Sequence, residues 1–189
     1  KAGVKRMDSG KIIETVLREI NRSVSGVSHE SLEALVDAVN REKRIFCDGA
    51  GRSRLKAEGF AMRLTQMGFT ALVVGEATTP AITGDDILLI CSASGETPML
   101  VEHAAKAKAV GAAVMLITAD AASSLAALSD SMITIDASSK TTRSDASVQP
   151  MGSLFEQSIA ILLDIIVLCL MEKHGISSDD MYRNHSNLE

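Results

Sequence analysis

Three short stretches hold the residues able to do chemistry. "GAGRSR", 49–54, brackets a turn with Gly49 and Gly51 and follows it with Arg52, Ser53 and Arg54. "SASGETP", 92–98, sets the hydroxyls of Ser92, Ser94 and Thr97 around Ala93, Gly95 and Glu96, with Pro98 closing the run. "SLFE", 153–156, puts Glu156 in the first turn of an apolar helical pattern. Hydroxyls beside unpaired backbone N–H groups at a helix start suit a phosphate, and proline is favoured in such a first turn. A lone carboxylate can act as a general acid or base. Each stretch also has a plainer use. Serine and threonine cap helices and glycine turns chains. Ser153-x-x-Glu156 has the spacing of a capping box, and a first-turn glutamate suits the helix dipole.

Other phosphate-binding motifs fail on their residues. A dinucleotide-binding turn needs a third glycine where Arg54 stands, and the next apolar run ends "LVVGE" with glycine before Glu76. No G-K-[ST] follows either glycine, which excludes a P-loop. Arg52, Arg54 and Lys56 offer charge to an anion, but alternate residues at a helix start cannot all face one ligand. Arg63 reads as half of a structural ion pair. His29 and His103 fall in amphipathic helical patterns as solvent-facing or packed residues, and His174 closes the long helix, where a cation suits the dipole. No His, Cys or carboxylate spacing matches a zinc or calcium site. Cys47, Cys91 and Cys169 are odd in number and widely spaced, as buried free thiols of a reducing compartment would be.

The elements that must position these residues follow from composition and periodicity. At 189 residues the chain fits one domain, able to bury roughly 70 % of its unfolded surface. Hydrophobic residues make up 46 % and aromatics only 3 %, so the core is aliphatic, as suits helices packed on a parallel sheet. A net charge of −5 argues against nucleic acid as the main partner. The first residues, "KAGVKRMDSGK", carry no signal-type apolar core, and the apolar run 159–171 is too short for a membrane span and contains Asp164. No membrane partner is expected.

Two amphipathic helices come first. Ile12, Ile13, Val16, Leu17 and Ile20 share one face of 9–20, and Leu32, Leu35, Val36 and Val39 share one face of 28–39, with Ser28 as N-cap. Apolar runs at 44–48, 70–74, 87–91, 113–118 and 132–135 then read as strands. Helical patterns at 53–67, 99–110 and 123–128 separate them, and 75–86 reads as loop. This order implies a mostly parallel sheet covered on both faces. In a 2-1-3-4-5 strand order the first and third strands are neighbours, and both glycine-bearing exits face one crevice. A polar loop spans 137–150, a long helix 153–173, and a short tail ends the chain. The domain reading is a single unit, 1–189, with a helical extension over about 1–42 and a tail over about 176–189. The helix at 153–173 is apolar nearly all round, more than one sheet face requires, which points to packing on another subunit.

The runs "GAGRS", "FAMRL" at 60–64, "SASGET", "QPMGSLFEQ" at 149–157 and the terminal "NLE" together resemble the 6-phospho-3-hexuloisomerase family of the sugar isomerase (SIS) domain superfamily. The likeness runs through the whole chain in order. It implies a flavodoxin-like sheet of five parallel strands in 2-1-3-4-5 order with helices on both faces. It also implies isomerisation of D-arabino-hex-3-ulose 6-phosphate to fructose 6-phosphate through an enediol, in the ribulose monophosphate pathway of formaldehyde fixation. The cytoplasm, a tetrameric assembly with sites near subunit contacts, and no cofactor or metal belong to the same picture. Carried over by residue, phosphate and sugar contacts fall on Gly51, Arg52 and Ser53 and on Ser92, Ala93, Ser94, Gly95, Glu96 and Thr97, and the proton carrier is Glu156. Gln66 and His185 are supporting candidates, His185 reaching a neighbouring subunit's pocket. Relatives often carry His where Gln66 stands; Gln donates a hydrogen bond but exchanges no proton at neutral pH. A familiar version of the tail has Ala at position 186, a change expected to be neutral. Two other readings stand beside this one: another aldose–ketose isomerase, such as one for a pentose 5-phosphate, and a non-catalytic sugar-phosphate sensor.

Overall fold

The computed structural model describes residues 8–137 and 147–188. Most of the polar loop expected over 137–150, the first seven residues and Glu189 of the "NLE" ending lie outside the described residues. The five apolar runs form β1 (Arg44–Gly49), β2 (Thr70–Val73), β3 (Ile87–Cys91), β4 (Ala113–Thr118) and β5 (Ser131–Thr134). All pair in parallel, in the order β2-β1-β3-β4-β5. Gly49 lies opposite Cys91, so the exits of β1 and β3 leave the sheet level with one another.

Period-two alternation sorts the strand side chains between two cores. Ile45, Cys47, Leu89 and Cys91 face one side with Leu64, Phe155 and Ile159. Phe46, Leu88 and Ile90 face the other with Leu100 and Leu116. The first side carries α1 (Ser9–Ser25), α2 (His29–Ala38), α3 (Arg52–Gln66), α6 (Ser153–His174) and α7 (Ser178–Arg183). The second carries α4 (Pro98–Ala109) and α5 (Ser124–Leu128). After β1 the chain therefore turns to one face, and after β3 to the other. That divergence opens a crevice at the carboxyl edge.

Several expectations need correction. Of the face assigned to the first helix, Val16 and Ile20 are half-buried, but Ile12, Ile13 and Leu17 lie at the surface; the fully buried residues of α1 are Glu19 and Ser23. Amphipathic spacing marks an apolar face without saying what covers it. Ser153 makes no capping box: Gly152 is the N-cap of α6, with no side-chain cap bond. Among the described residues a capping box lies in the tail, where Ser177 and Asp180 bond reciprocally at the start of α7. Arg63 donates to Gln66 Oε1 at 2.8 Å, an amide where an ion-pair partner was expected. Cys47 and Cys91 are buried free thiols, but Cys169 is half-buried. α6 is long and apolar enough to cross a membrane by composition, yet Phe155, Ile159, Leu162, Ile166 and Leu170 lie in the core. Ile161 and Leu168 remain at its surface.

Candidate active site

Three helices begin at the carboxyl edge without a side-chain cap: α3 after Gly51, α4 after Thr97 and α6 after Gly152. Side chains do cap α1, α2, α5 and α7. Uncapped first turns leave backbone N–H groups without intrahelical partners, a concentration of partial positive charge that favours an anion. Between them lies a cavity of about 180 Å³. Ala50 and Ser53 line it from the exit of β1 and the start of α3, Cys91 to Ser94 and Thr97 from the exit of β3, and Gly152 and Glu156 from the start of α6. Ser53, Ser94 and Glu156, drawn from three separate stretches of sequence, face one space.

The Thr97 hydroxyl makes no cap bond, so it remains available to a ligand. Ser92 Oγ accepts from Gly95 N–H at 3.2 Å, and Ser94 Oγ from Glu96 N–H at 3.3 Å. Both hydroxyls shape their own loop and keep a proton to donate. Glu156 is buried, and its carboxylate takes a hydrogen-bonded ion pair from Arg52 Nε. A guanidinium beside a carboxylate at an uncapped helix start is an arrangement that can hold and return a proton while the neighbouring charge steadies the anion formed.

Two residues of the expected set have other work. Gly95, at φ +64°, gives room to the protein itself: a Cβ there would lie 2.0 Å from Ser123 Oγ. Glu96 turns away from the cavity and accepts from Ser124 N–H at 2.7 Å and Ser124 Oγ at 2.8 Å, fastening the start of α5. Gly49 likewise admits backbone, since a Cβ there would stand 2.9 Å from Arg54 N and 3.2 Å from Cys91 O. Arg54 pairs with Glu58 and Glu76, leaving Arg52 as the cation on Glu156. Gln66 and His185 are not brought to the cavity of their own chain. Gln66 ends α3, which at 15 residues is about 22 Å long, and so lies at the amino edge of the sheet. Asn184 Nδ2 donates to Gln66 O at 2.9 Å, which places the tail and His185 beside it.

Sequence reasoning read His103 as packed or solvent-facing, which holds, but passed over its partner Asp48. The Asp48 carboxylate is fully buried at the end of β1; it accepts from Gly49 N–H at 2.8 Å and meets His103 Nδ1 of α4 at 2.7 Å. A carboxylate closing a buried strand was a local signal; its partner, 55 residues on, carried none. Cys91 lies on the cavity wall, and burial, with a smaller contribution from the Asp48 charge, pushes its thiol up to about 12. Burial first, then the nearby Cys91 and Asp48, raises Cys47 as well. Neither is a thiolate near neutral pH. Among the described residues no group of three or more His, Cys, Asp or Glu is placed to hold a metal ion.

Residues 38–163 match the SIS domain family. Over 185 residues the chain is 40 % identical to the 3-hexulose-6-phosphate isomerase of Bacillus subtilis (strain 168), covering 97 % of this chain and 100 % of that one. It is 35 % identical over 178 residues to the Mycobacterium gastri protein of the same name, covering 94 % and 89 %. A crystal structure from Methanococcus jannaschii, from which a function of 3-hexulose-6-phosphate isomerase was inferred, superposes with a TM-score of 0.81 at 27 % identity, covering 97 % of this chain and 100 % of that one.

Proposed function

The chain belongs to the SIS domain family, and we propose that it is a 3-hexulose-6-phosphate isomerase, converting D-arabino-hex-3-ulose 6-phosphate to fructose 6-phosphate. The observation that carries this reading is the convergence of Ser53, Ser94, Thr97 and Glu156 on one cavity walled by three uncapped helix starts. The ester phosphate sits against the hydroxyls of Ser53, Ser94 and Thr97 and the first-turn N–H groups of α3 and α4. Ser92 and the backbone of Ala93, Gly95 and Gly51 shape this cradle; Glu96 holds its outer wall through Ser124.

Chemistry then needs one mobile proton. Glu156 takes the C2 proton while the C3 carbonyl oxygen gains the negative charge, giving an enediolate across C2 and C3. The same carboxyl returns a proton to C3, the hydroxyl proton passes from O2 to O3, and the ketone stands at C2. Arg52 steadies the negative charge as it moves between Glu156 and the oxygens. Gln66, buried and accepting from Arg63, takes no part at the cavity, whereas His185, exposed in the tail, is assigned to the cavity of a neighbouring copy. Surface apolar residues on α1 and α6, namely Ile12, Ile13, Leu17, Ile161 and Leu168, support an oligomer, which we take to be a tetramer. In the cytoplasm such an enzyme serves the ribulose monophosphate pathway.

The test is direct. Purified chain is given hexulose 6-phosphate, and fructose 6-phosphate is followed in a coupled assay, with a pentose 5-phosphate in parallel. Turnover of the hexulose ester is expected. Preference for the pentose ester, or binding of the hexulose ester without turnover, would overturn the assignment.

A further inference from the structure

α1 turns polar side chains inward. Glu19 is 7 % exposed and Ser23 0 %, whereas Ile12, Ile13 and Leu17 of the same helix lie at the surface. A buried carboxylate is costly unless it is well hydrogen-bonded, and this one is. Glu19 Oε1 accepts from Val148 N–H at 2.9 Å, and Oε2 from Ser147 Oγ at 2.7 Å and Gln149 Nε2 at 3.2 Å. One helical turn further on, on the same face, Ser23 Oγ donates to Asp136 O at 2.6 Å. The chain leaves β5 toward Asp136 and is held again at 147–149, so one face of α1 fastens both ends of the connection that leads to α6.

Only Pro150, Met151 and Gly152 separate the held segment from α6. Met151 has φ +57°, the left-handed backbone region that side-chain-bearing residues seldom occupy and that persists only when neighbours impose it. Ser153 N–H closes this turn on Pro150 O at 3.2 Å. Gly152 lines the cavity, and a Cβ on it would stand 3.4 Å from Glu156 Oε1. The unfavourable turn is thus held by α6 on one side and by the three hydrogen bonds to Glu19 on the other.

We infer that Glu19 is a positioning residue for Glu156: by gripping 147–149 it sets the turn at Met151, and with it the placement of the first-turn carboxylate in the cavity. This rests on the reading of Glu156 as the proton carrier. The phosphate cradle on the exits of β1 and β3 is built without Glu19. Displacement of Glu156 therefore falls on kcat more than on KM, whereas a simple fastening of α1 would lower only the amount of folded protein.

The experiment compares wild type with Glu19→Ala, Glu19→Gln and the loop-side double variant Ser147→Ala/Gln149→Ala, with rates on hexulose 6-phosphate expressed per folded molecule. A shift of about 1 Å in a catalytic group costs up to ~10²-fold. Glu19→Ala is accordingly expected to lose roughly ten- to a hundredfold in kcat with KM within about threefold. Glu19→Gln, whose amide oxygen still accepts from Val148, recovers part of the loss. Should Glu19→Ala fail to fold, the double variant, which leaves α1 intact, decides with the same split. Values of kcat within about threefold of wild type, or KM rising in step with the fall in kcat, would overturn the inference. Wild type that does not turn over the hexulose ester overturns the isomerase assignment instead. Amide hydrogen exchange then decides the role of Glu19. Faster exchange over 150–156 with 49–53 and 92–97 unchanged supports it, and unchanged exchange over 150–156 refutes it.

Discussion

Replacing Glu156 by Gln separates chemistry from stability. Among the described residues the partner of the Glu156 carboxylate is Arg52, whose side chain is 63 % exposed while that of Glu156 is 6 % exposed. An ion pair with one member largely in water contributes about 0–1 kcal/mol. Gln fills the same volume, its Oε1 can still accept from Arg52, and the backbone bond from the N–H of residue 156 to Gly152 O, 2.9 Å, is untouched. At about 2–4 °C per kcal/mol for a chain of this size, the melting temperature should move by no more than about 4 °C. Loss of the proton carrier should cost roughly 10²–10⁴-fold in kcat, or about 2.7–5.5 kcal/mol of barrier. Thermal melts and the fructose 6-phosphate assay on one preparation read both quantities. A folded variant keeping more than about a tenth of wild-type kcat would refute the assignment of Glu156.

Thr97→Val should raise KM roughly ten- to a hundredfold through loss of a charge-assisted hydrogen bond, yet change stability by less than about 0.5 kcal/mol, because the hydroxyl makes no cap bond. Loss of urea stability with KM unchanged would make Thr97 an ordinary cap. Gly95→Ala combines a Cβ 2.0 Å from Ser123 Oγ with a φ of +64°, so about 2–4 kcal/mol should be lost, seen as a melting point lower by roughly 5–15 °C; a neutral result would refute the packing argument. Burial raises the Asp86 carboxyl, but hydrogen bonds from Arg44 and from the Thr83 N–H and hydroxyl, with the Arg44 charge, outweigh it and hold the pKa below the usual carboxylate value. A depressed folded-state pKa gives stability that is complete above the unfolded value near ~4 and lost as pH falls through the folded one. Asp86→Asn should therefore lose about 1–3 kcal/mol at pH 7, with a gap to wild type that closes in acid when unfolding is followed in urea. A gap independent of pH would refute that linkage.

The sheet was legible because each strand is a short aliphatic run ended by turn residues, and strand–helix alternation leaves few topologies to choose among. That Ser53 and Ser94 share one crevice was legible for the same reason, since strand order decides which exits are neighbours, whereas Glu156 entered it only through the family resemblance. Harder were features set by contacts far apart in sequence. Gly95 reads as a ligand-facing glycine until Ser123 is seen against it, and Glu96 as a ligand contact until Ser124 claims its carboxylate. The apparent capping box at Ser153 fails because the left-handed turn at Met151 makes Gly152 the cap. Glu19 carries no signal of its own in the sequence, and its partners lie about 130 residues away.

Cys91 borders the cavity, but its side chain is fully buried in the core beneath, and this bears on what the pocket must avoid. A ketone held in reach of a thiolate is open to addition, and the resulting thiohemiketal would idle the site. Burial, with a smaller contribution from the Asp48 charge, raises the Cys91 thiol and keeps it protonated near neutral pH. The same apolar packing that closes the sheet thus keeps a potential trap for carbonyl compounds inert, and lets cysteine serve there as a small hydrophobic wall.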